Sequence, residues 1–285
     1  MRIDLHTHSA VSDGTEPPAQ VIAQAKAAGL DVVALTDHDS ADGWEEAAQA
    51  ATSIGVALVR GTELSTRTHG ITVHLLSYLH NPTHPAIEQM NRRIREARRE
   101  RAQAMVQRLA RDYPITWEQV AQNVGENVTV GRPHIADQLV ELGVIPDRSA
   151  AFQRLLHPAS PYYVRYWTQD TTEAVQIVRE AGGVPVFAHP GASARQRLVS
   201  DAVIAQLVEA GLAGLEIHHR ENPPEQRERL TRLAEQLGLL QTGSSDYHGA
   251  GKPNRLGENL TSPEVLAAIL EQGQLELVGA ATWAR

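Results

Sequence analysis

Histidines and carboxylates recur along this chain in short, widely separated clusters. His6 and His8 flank one threonine in HTHS, and Asp13 follows them. His38 sits in TDHD, Glu63 in VRGTELS, His74 in ITVHL, His189 in AHPG, and Asp246 with His248 in SDYH. Imidazole with carboxylate suits Mn, Fe or Zn better than Ca or Mg, which prefer all-oxygen surroundings. Cysteine is absent, so a metal site here must use nitrogen and oxygen donors. In an extended segment residues two apart face the same side, so His6 and His8 can reach one ion. The same spacing returns at Asp246 and His248.

These clusters need elements that bring them together. IDL, DVVALT, VALVRGTELS and ITVHLLSYL read as strands, with a turn around Thr68–Gly70 between the last two. PPAQVIAQAKAAG and DGWEEAAQAATSIG read as helices. After the central segment, VPVFAHP, AGLEIHH, LLQTGSSDYH and LELVG are strand candidates among four further helical stretches. Strands alternating with helices imply βα units and a largely parallel sheet or barrel. Most of the candidate ligands fall at or just beyond the C-terminal end of a predicted strand. In a parallel barrel those ends converge on one face, where active sites are built. Residues 80–166 read instead as helices without strands, an inserted helical subdomain interrupting a barrel made of 1–79 and 167–285.

Net charge is -8, which argues against a broad basic face that coats long nucleic acid. A local cationic pocket for a small anion remains compatible with it. No apolar run reaches membrane-spanning length, and the N-terminus lacks a charged region followed by an apolar stretch. A cytoplasmic location, with no membrane association and no obligatory protein partner, is expected.

HTHS, TDHD, Glu63, AHP and SDYH resemble the successive motifs of the polymerase and histidinol phosphatase (PHP) superfamily of metal-dependent phosphoesterases. The resemblance spans almost the whole chain. It implies an α/β fold, a distorted seven-stranded barrel holding two or three divalent metals, with Mn the first expectation and Fe or Zn the alternatives. Carried over by motif, His6, His8, Glu63 and Asp246 would hold the first metal. Glu63 would bridge to a second, completed by His74 and His189. Asp13, His38 and His248 would hold a third, Asp13 standing where some members have His. Three divalent ions outweigh Asp13, Glu63, Asp246 and a bridging hydroxide, so the centre stays positive and can accept a phosphate dianion. Metal coordination lowers the pKa of water from about 15.7 to about 7. Asp37 and Asp39 flank His38; support of imidazoles is one expectation. Capping of the helix at DGWEEA is the other, and it is preferred for Asp39.

The insert carries the specificity signals. VGRPHIADQL places Arg132 and His134 at the start of a helix, where an anion is favoured and Arg offers a planar fork to phosphate. GRPHIA in this position resembles a subgroup that removes the 3′-phosphate from nucleoside 3′,5′-bisphosphates, pAp giving AMP. Related members trim short RNA from its 5′ end. A histidinol-phosphate phosphatase and a non-catalytic domain of the kind found in DNA polymerases are the remaining alternatives. The helix with eight arginines between Arg92 and Arg111 is read as a solvated face paired with Glu96 and Glu100. In EIHHREN, strand parity points His218 inward with Glu216, whereas the family pattern favours His219. His219, with Arg220, is a candidate for contacting phosphate or protonating the leaving oxygen. Lys252 in HGAGKPN is a further candidate phosphate contact.

Overall fold

The computed structural model describes residues 1–122, 124, 128–194 and 197–279. Strands β1 (Ile3–Asp4), β2 (Val32–Leu35) and β3 (Ala57–Thr68) lie parallel. Helices α1 (Pro18–Ala27) and α2 (Trp44–Ile54) make the crossovers. Pro18 sets the first turn of α1, and Gly55, at φ 74°, ends α2 in the left-handed conformation that a side chain disfavours. The parity of β2 divides two cores. Val32 and Ala34 pack with Ile3, Leu5, Val59 and Val186, while Val33 and Leu35 pack against α1 and α2.

Strand β4 (Ile71–Tyr78) departs from the expected parallel order. It runs antiparallel to both β3 and β6 (Val184–Phe187). The hairpin turn explains this, because His69 and Gly70 both take positive φ (47° and 76°), as a tight turn between twisted strands requires. β5 (Gln169–Asp170) adds to the overhanging end of β3, and β7 (Gly214–His218) and β8 (Leu240–Gly243) continue the sheet in parallel.

The path β1-β2-β3-β4-β6-β7-β8 curls into a nearly closed seven-stranded barrel. Main-chain contacts close the seam: His8 N–H donates to Tyr247 O at 2.8 Å and Thr261 N–H to Ile3 O at 3.0 Å. Asp4 adds to the closure, since its two carboxylate oxygens accept from Ser245 N–H (2.9 Å) and Gly257 N–H (2.8 Å). Burial pushes the Asp4 carboxyl up to about 6 against these hydrogen bonds. LELVG forms no strand. It makes a single antiparallel bridge, Val278 to Leu58, and lies across the barrel beside α10 (Pro263–Gln272).

Between β4 and β5 the chain is helical: α3 (Pro85–Leu109), α4 (Trp117–Gln122), α5 (Arg132–Glu141) and α6 (Arg148–Arg154). Helix α3 serves two cores. Ile87, Met90 and Ile94 join the barrel's outer cluster with α7 (Thr171–Glu180), α8 (Asp201–Glu209) and α9 (Pro224–Leu237). Ala102, Met105, Val106 and Leu109 build the helical subdomain with Ile135 and Leu139. Thr129 N–H donates to Val11 O at 3.0 Å and Arg148 Nη1 to Asp13 O at 3.1 Å, so the subdomain docks on the loop that follows HTHS.

His80, just after β4, is fully buried beside Trp44, with Nδ1 2.8 Å from Ser77 Oγ. Burial lowers its pKa to about 4. The folded protein holds this imidazole neutral, so its contribution is complete above the unfolded value of about 6.5 and is lost as pH falls toward 4. In metal-stripped protein, His80→Gln should shrink the fall in unfolding free energy between pH 6.5 and 4 by up to about 3 kcal/mol. Urea unfolding at both pH values measures it.

Candidate metal centre

The ligand candidates meet at the end of the barrel where β1, β2, β6, β7 and β8 finish. Thr7 turns outward to Ala34 O (2.6 Å), which sends His6 and His8 inward with their Nε2 atoms 3.0 Å apart. β3 is long enough to carry Glu63 past the end of β2, where it bridges to His38. Because β4 runs backward, His74 reaches the same place from mid-strand, opposite Ser65.

Glu63 is the hub. Its Oε2 lies 3.3 Å from His6 Nε2, 3.1 Å from His8 Nε2 and 3.2 Å from His38 Nδ1. Its Oε1 lies 2.8 Å from His74 Nδ1 and 3.2 Å from His189 Nε2. Asp246 Oδ1 sits 3.5 Å from both His6 and His8 Nε2. Asp13 Oδ1 is 3.2 Å from His248 Nε2, and its Oδ2 is 3.8 Å from His38 Nε2. Three sets each gather donor atoms within 4.8 Å of one another: His6, His8, Glu63 and Asp246; His38, Glu63 and His74; and His8, Asp13, His38 and His248. All are buried except His74, which is half-buried.

Electrostatics and strain both favour cation binding here. Burial pushes Glu63 up, and the His74, His38 and His6 imidazoles more than reverse it, holding it well below the usual range. Asp246 is likewise held down, burial being outweighed by Lys252, His248 and His6. Asp13 follows through His248 and His38. Burial lowers His8 and His38, which stay neutral and keep lone pairs for a metal. His6 moves the other way. Burial lowers it, but Glu216 and Glu63 raise it well above its ordinary value. Three ionised carboxylates among converging imidazoles, without thiolate, fit hard-to-borderline divalent ions. His189 (φ 35°) and Asp246 (φ 55°) hold a backbone conformation that non-glycine residues rarely adopt.

The supporting residues take roles that spacing alone does not assign. Glu216, fully buried, accepts from His189 N–H (2.8 Å) and lies 2.9 Å from His6 Nδ1. It thereby orients one candidate ligand by its ring and another by its backbone. Its pKa is lowered to about 2, burial being overcome by His6 and His219. The parity of GLEIH is the signal that marks it. Asp37 supports no imidazole by direct contact among the described residues; it accepts from Ser9 N–H (2.8 Å), Ser9 Oγ (2.6 Å) and Ser12 Oγ (2.7 Å), bracing the HTHS loop. Asp39 does not cap α2, whose N-cap position is Gly43, without a side-chain cap. It accepts from Ser65 N–H (2.7 Å) and pairs with Arg98 Nε (2.8 Å). Nor is α3 solvated along all its arginines, since Arg98 and Arg101 are buried.

The candidate substrate contacts separate. His219 is fully buried with Nε2 3.6 Å from Asp246 Oδ2, whereas His218 is exposed. A register shift between Glu216 and His218 breaks the strand parity, and His219 N–H turns back to Ile217 O (3.0 Å). Lys252 Nζ reaches Asp246 Oδ2 at 2.8 Å. Arg220 instead turns to a bidentate surface pair with Glu258 (2.8 and 2.5 Å). His134 Nδ1 accepts from Gly131 N–H (3.0 Å), capping its own helix, and Arg132 Nη1 donates to Leu156 O (2.8 Å).

A 3′,5′-nucleoside bisphosphate phosphatase of Chromobacterium violaceum is 33% identical over 89% of this chain and 89% of its own. The PHP domain pattern matches residues 4–123. The chain belongs to the PHP domain family. A 5′-3′ exoribonuclease of Haemophilus influenzae is 29% identical over 95% of this chain and 98% of its own. A solved structure from Bifidobacterium adolescentis, described as a metal-dependent phosphoesterase, is 46% identical and superposes with a TM-score of 0.94 over 95% of this chain and 96% of its own. This PHP chain is therefore a metal-dependent hydrolase of phosphoester bonds.

Glu216→Gln should weaken divalent metal binding about 10- to 100-fold, the usual cost of losing a carboxylate that orients a ligating imidazole. Equilibrium dialysis with Mn measures this directly. An unchanged affinity would remove Glu216 from the support of the centre.

Proposed function

We propose that this PHP enzyme removes the 3′-phosphate from nucleoside 3′,5′-bisphosphates, converting pAp to AMP and phosphate. The observation that carries the reading is the juxtaposition of a candidate metal centre with a second zone that carries Arg132. The metal centre gathered on Glu63 lies under the helical subdomain, and Arg132 and His134 stand at the start of α5, beside the loop that docks on Val11. A mononucleotide with two phosphates meets both zones; a substrate with one phosphate has no use for the second.

In this reading His6, His8, Glu63 and Asp246 hold one metal, Glu63, His74 and His189 a second, and Asp13, His38 and His248 a third. Mn is the first choice, with Fe or Zn as alternatives. Bound divalent ions supply a nucleophilic water at neutral pH and neutralise charge on the phosphoryl oxygens. The chain's residues do the rest. Glu216 fixes His6 and His189, and Asp37 fixes the HTHS loop. His219 accepts Glu221 N–H at Nδ1 (3.1 Å), so its ring proton is carried on Nε2, facing the site. That Nε2–H offers a hydrogen bond to the departing 3′-oxygen, which takes its proton from solvent water. Lys252, already beside Asp246, neutralises the phosphate being cleaved. Arg132 and His134 take the 5′-phosphate, and a cytoplasmic location belongs to the same reading.

A second reading, trimming of short RNA from its 5′ end, draws on the likeness to the Haemophilus influenzae exoribonuclease and on one feature of α3. Its exposed Arg93 and Arg99 lie over the half-buried Trp167 (3.7 Å) and Trp117 (5.4 Å), pairing cations with aromatic faces that bases stack on.

Phosphate release from pAp, 5′-AMP, 3′-AMP, histidinol phosphate and short RNA distinguishes these readings, with pAp expected to be preferred and AMP to be its product. Arg132→Ala should lower kcat/KM for pAp about 10- to 100-fold more than for an aryl phosphate. Equal losses on both substrates would take the second phosphate away from Arg132.

A further inference from the structure

Helix α3 carries two arginines where its spacing calls for apolar side chains. Ile94, Arg98, Arg101 and Met105 follow one face, and all four are buried. Burying a guanidinium is costly unless it is paired or has a ligand to meet. Arg98 is paired: its Nε meets Asp39 Oδ2 at 2.8 Å, and its Nη2 donates to Ser65 Oγ at 2.5 Å. Arg101 is not. It is 7% exposed, and neither Nε nor Nη2 has a hydrogen-bond partner among the described residues. It rests instead on the faces of Tyr166 (4.8 Å) and Tyr163 (5.4 Å).

Arg98, Arg101 and Arg132 meet with Gly131 in one narrow crevice at the start of α5, too tight for a water molecule as it stands. Tyr163 is shared by Arg101 and Arg132, and Tyr166 by Arg98 and Arg101. Asp39, which neutralises Arg98, is adjacent in sequence to His38 and donates its N–H to Glu63 O at 3.1 Å. The cleft therefore joins the metal centre through a continuous run of contacts. The guanidinium groups must part for an anion to enter, and the aromatic faces give them weak, exchangeable rests.

We propose that Arg101, backed by Arg98, is the specificity-determining residue of an anion subsite in this cleft, which takes the phosphate that is not hydrolysed. This rests on the nucleotide bisphosphatase reading and names further residues for it. The substrate class that follows is phosphate esters with a second anionic arm; a cationic arm is repelled by three guanidinium groups. The planar guanidinium of Arg101 turns Nε and Nη2, the donors that now lack partners, to two oxygens of the second phosphate.

The test uses the Mn-loaded full chain and calorimetric binding of AMP, adenosine and inorganic phosphate. Inorganic phosphate reports on the metal centre, and adenosine on the base and sugar. In Arg101→Met the AMP affinity should fall about 10- to 100-fold relative to that for inorganic phosphate, with the gap between AMP and adenosine narrowing. Arg101→Lys, which keeps the charge but not the fork, should fall between the two, and thermal unfolding confirms that both variants fold. An AMP-to-phosphate affinity ratio equal to that of the unsubstituted protein in both variants would overturn the subsite. If the unsubstituted protein binds AMP through Arg101 yet releases no phosphate from pAp, the subsite stands and the bisphosphatase reading fails. If it hydrolyses pAp and Arg101→Met retains the full preference for pAp over an aryl phosphate, the reading stands and the subsite fails.

Discussion

A single buried carboxylate, Glu63, constrains the catalytic end of this barrel. Only 1% exposed, it is crowded at its two oxygens by the imidazoles of His6, His8, His38, His74 and His189, and its carboxyl is held well below the usual range. A charge buried that deeply must be compensated at short range. Imidazoles that are themselves neutral, as burial makes His8 and His38, supply polarity but little compensating charge. Divalent cations held among these candidate ligands would supply the rest. The chemistry of the site and the stability of the fold around it are thus coupled through one residue, and metal binding contributes to both.

The barrel's irregularities make sense in that light. β4 runs against its neighbours, which lets the β3–β4 hairpin overhang the barrel and present Glu63, Ser65 and His74 from adjoining strands. Three non-glycine residues with positive φ lie where candidate ligands are delivered, at His189 and Asp246 and beside His38 at Asp39. Each is over-determined by hydrogen bonds: Glu216 to His189 N–H, His248 Nδ1 and Asn254 Nδ2 at Asp246 O, and Ser65 at the Asp39 carboxylate. The strain is local and its supports are buried, as expected of a site held ready rather than assembled on demand.

Much of this was legible in the sequence, for physical reasons that differ by residue. The pair His6/His8 sits two apart beside β1, and that spacing points both rings to one side, whereas Asp246 reaches the same place through a left-handed backbone (φ 55°) that spacing does not announce. The crossover helices announced themselves through prolines and glycines at their ends. The direction of β4 was not legible from alternation, although His69-Gly70 was a hairpin signal. Residues 275–279 have strand composition, yet they make only one bridge, Val278 to Leu58, while Leu275 N–H turns away to Leu79 O (3.0 Å). His219 displaced His218 through a shift in register, which no parity rule anticipates. Arg98 and Arg101 fell on the buried stripe of α3, and their charge disguised a periodicity that Ile94 and Met105 shared. Glu216 lay in plain strand parity, but its role depends on His6, distant in sequence and adjacent only in the fold.

The most direct measurement is anomalous diffraction at the Mn absorption edge from crystals of the Mn-loaded enzyme. Scattering peaks should lie among His6, His8, Glu63 and Asp246, and beside His74 and His189 on the other oxygen of Glu63, with Glu63 shared between them. A catalytically active, Mn-dependent crystal with no peak within coordination distance of Glu63 would contradict the account.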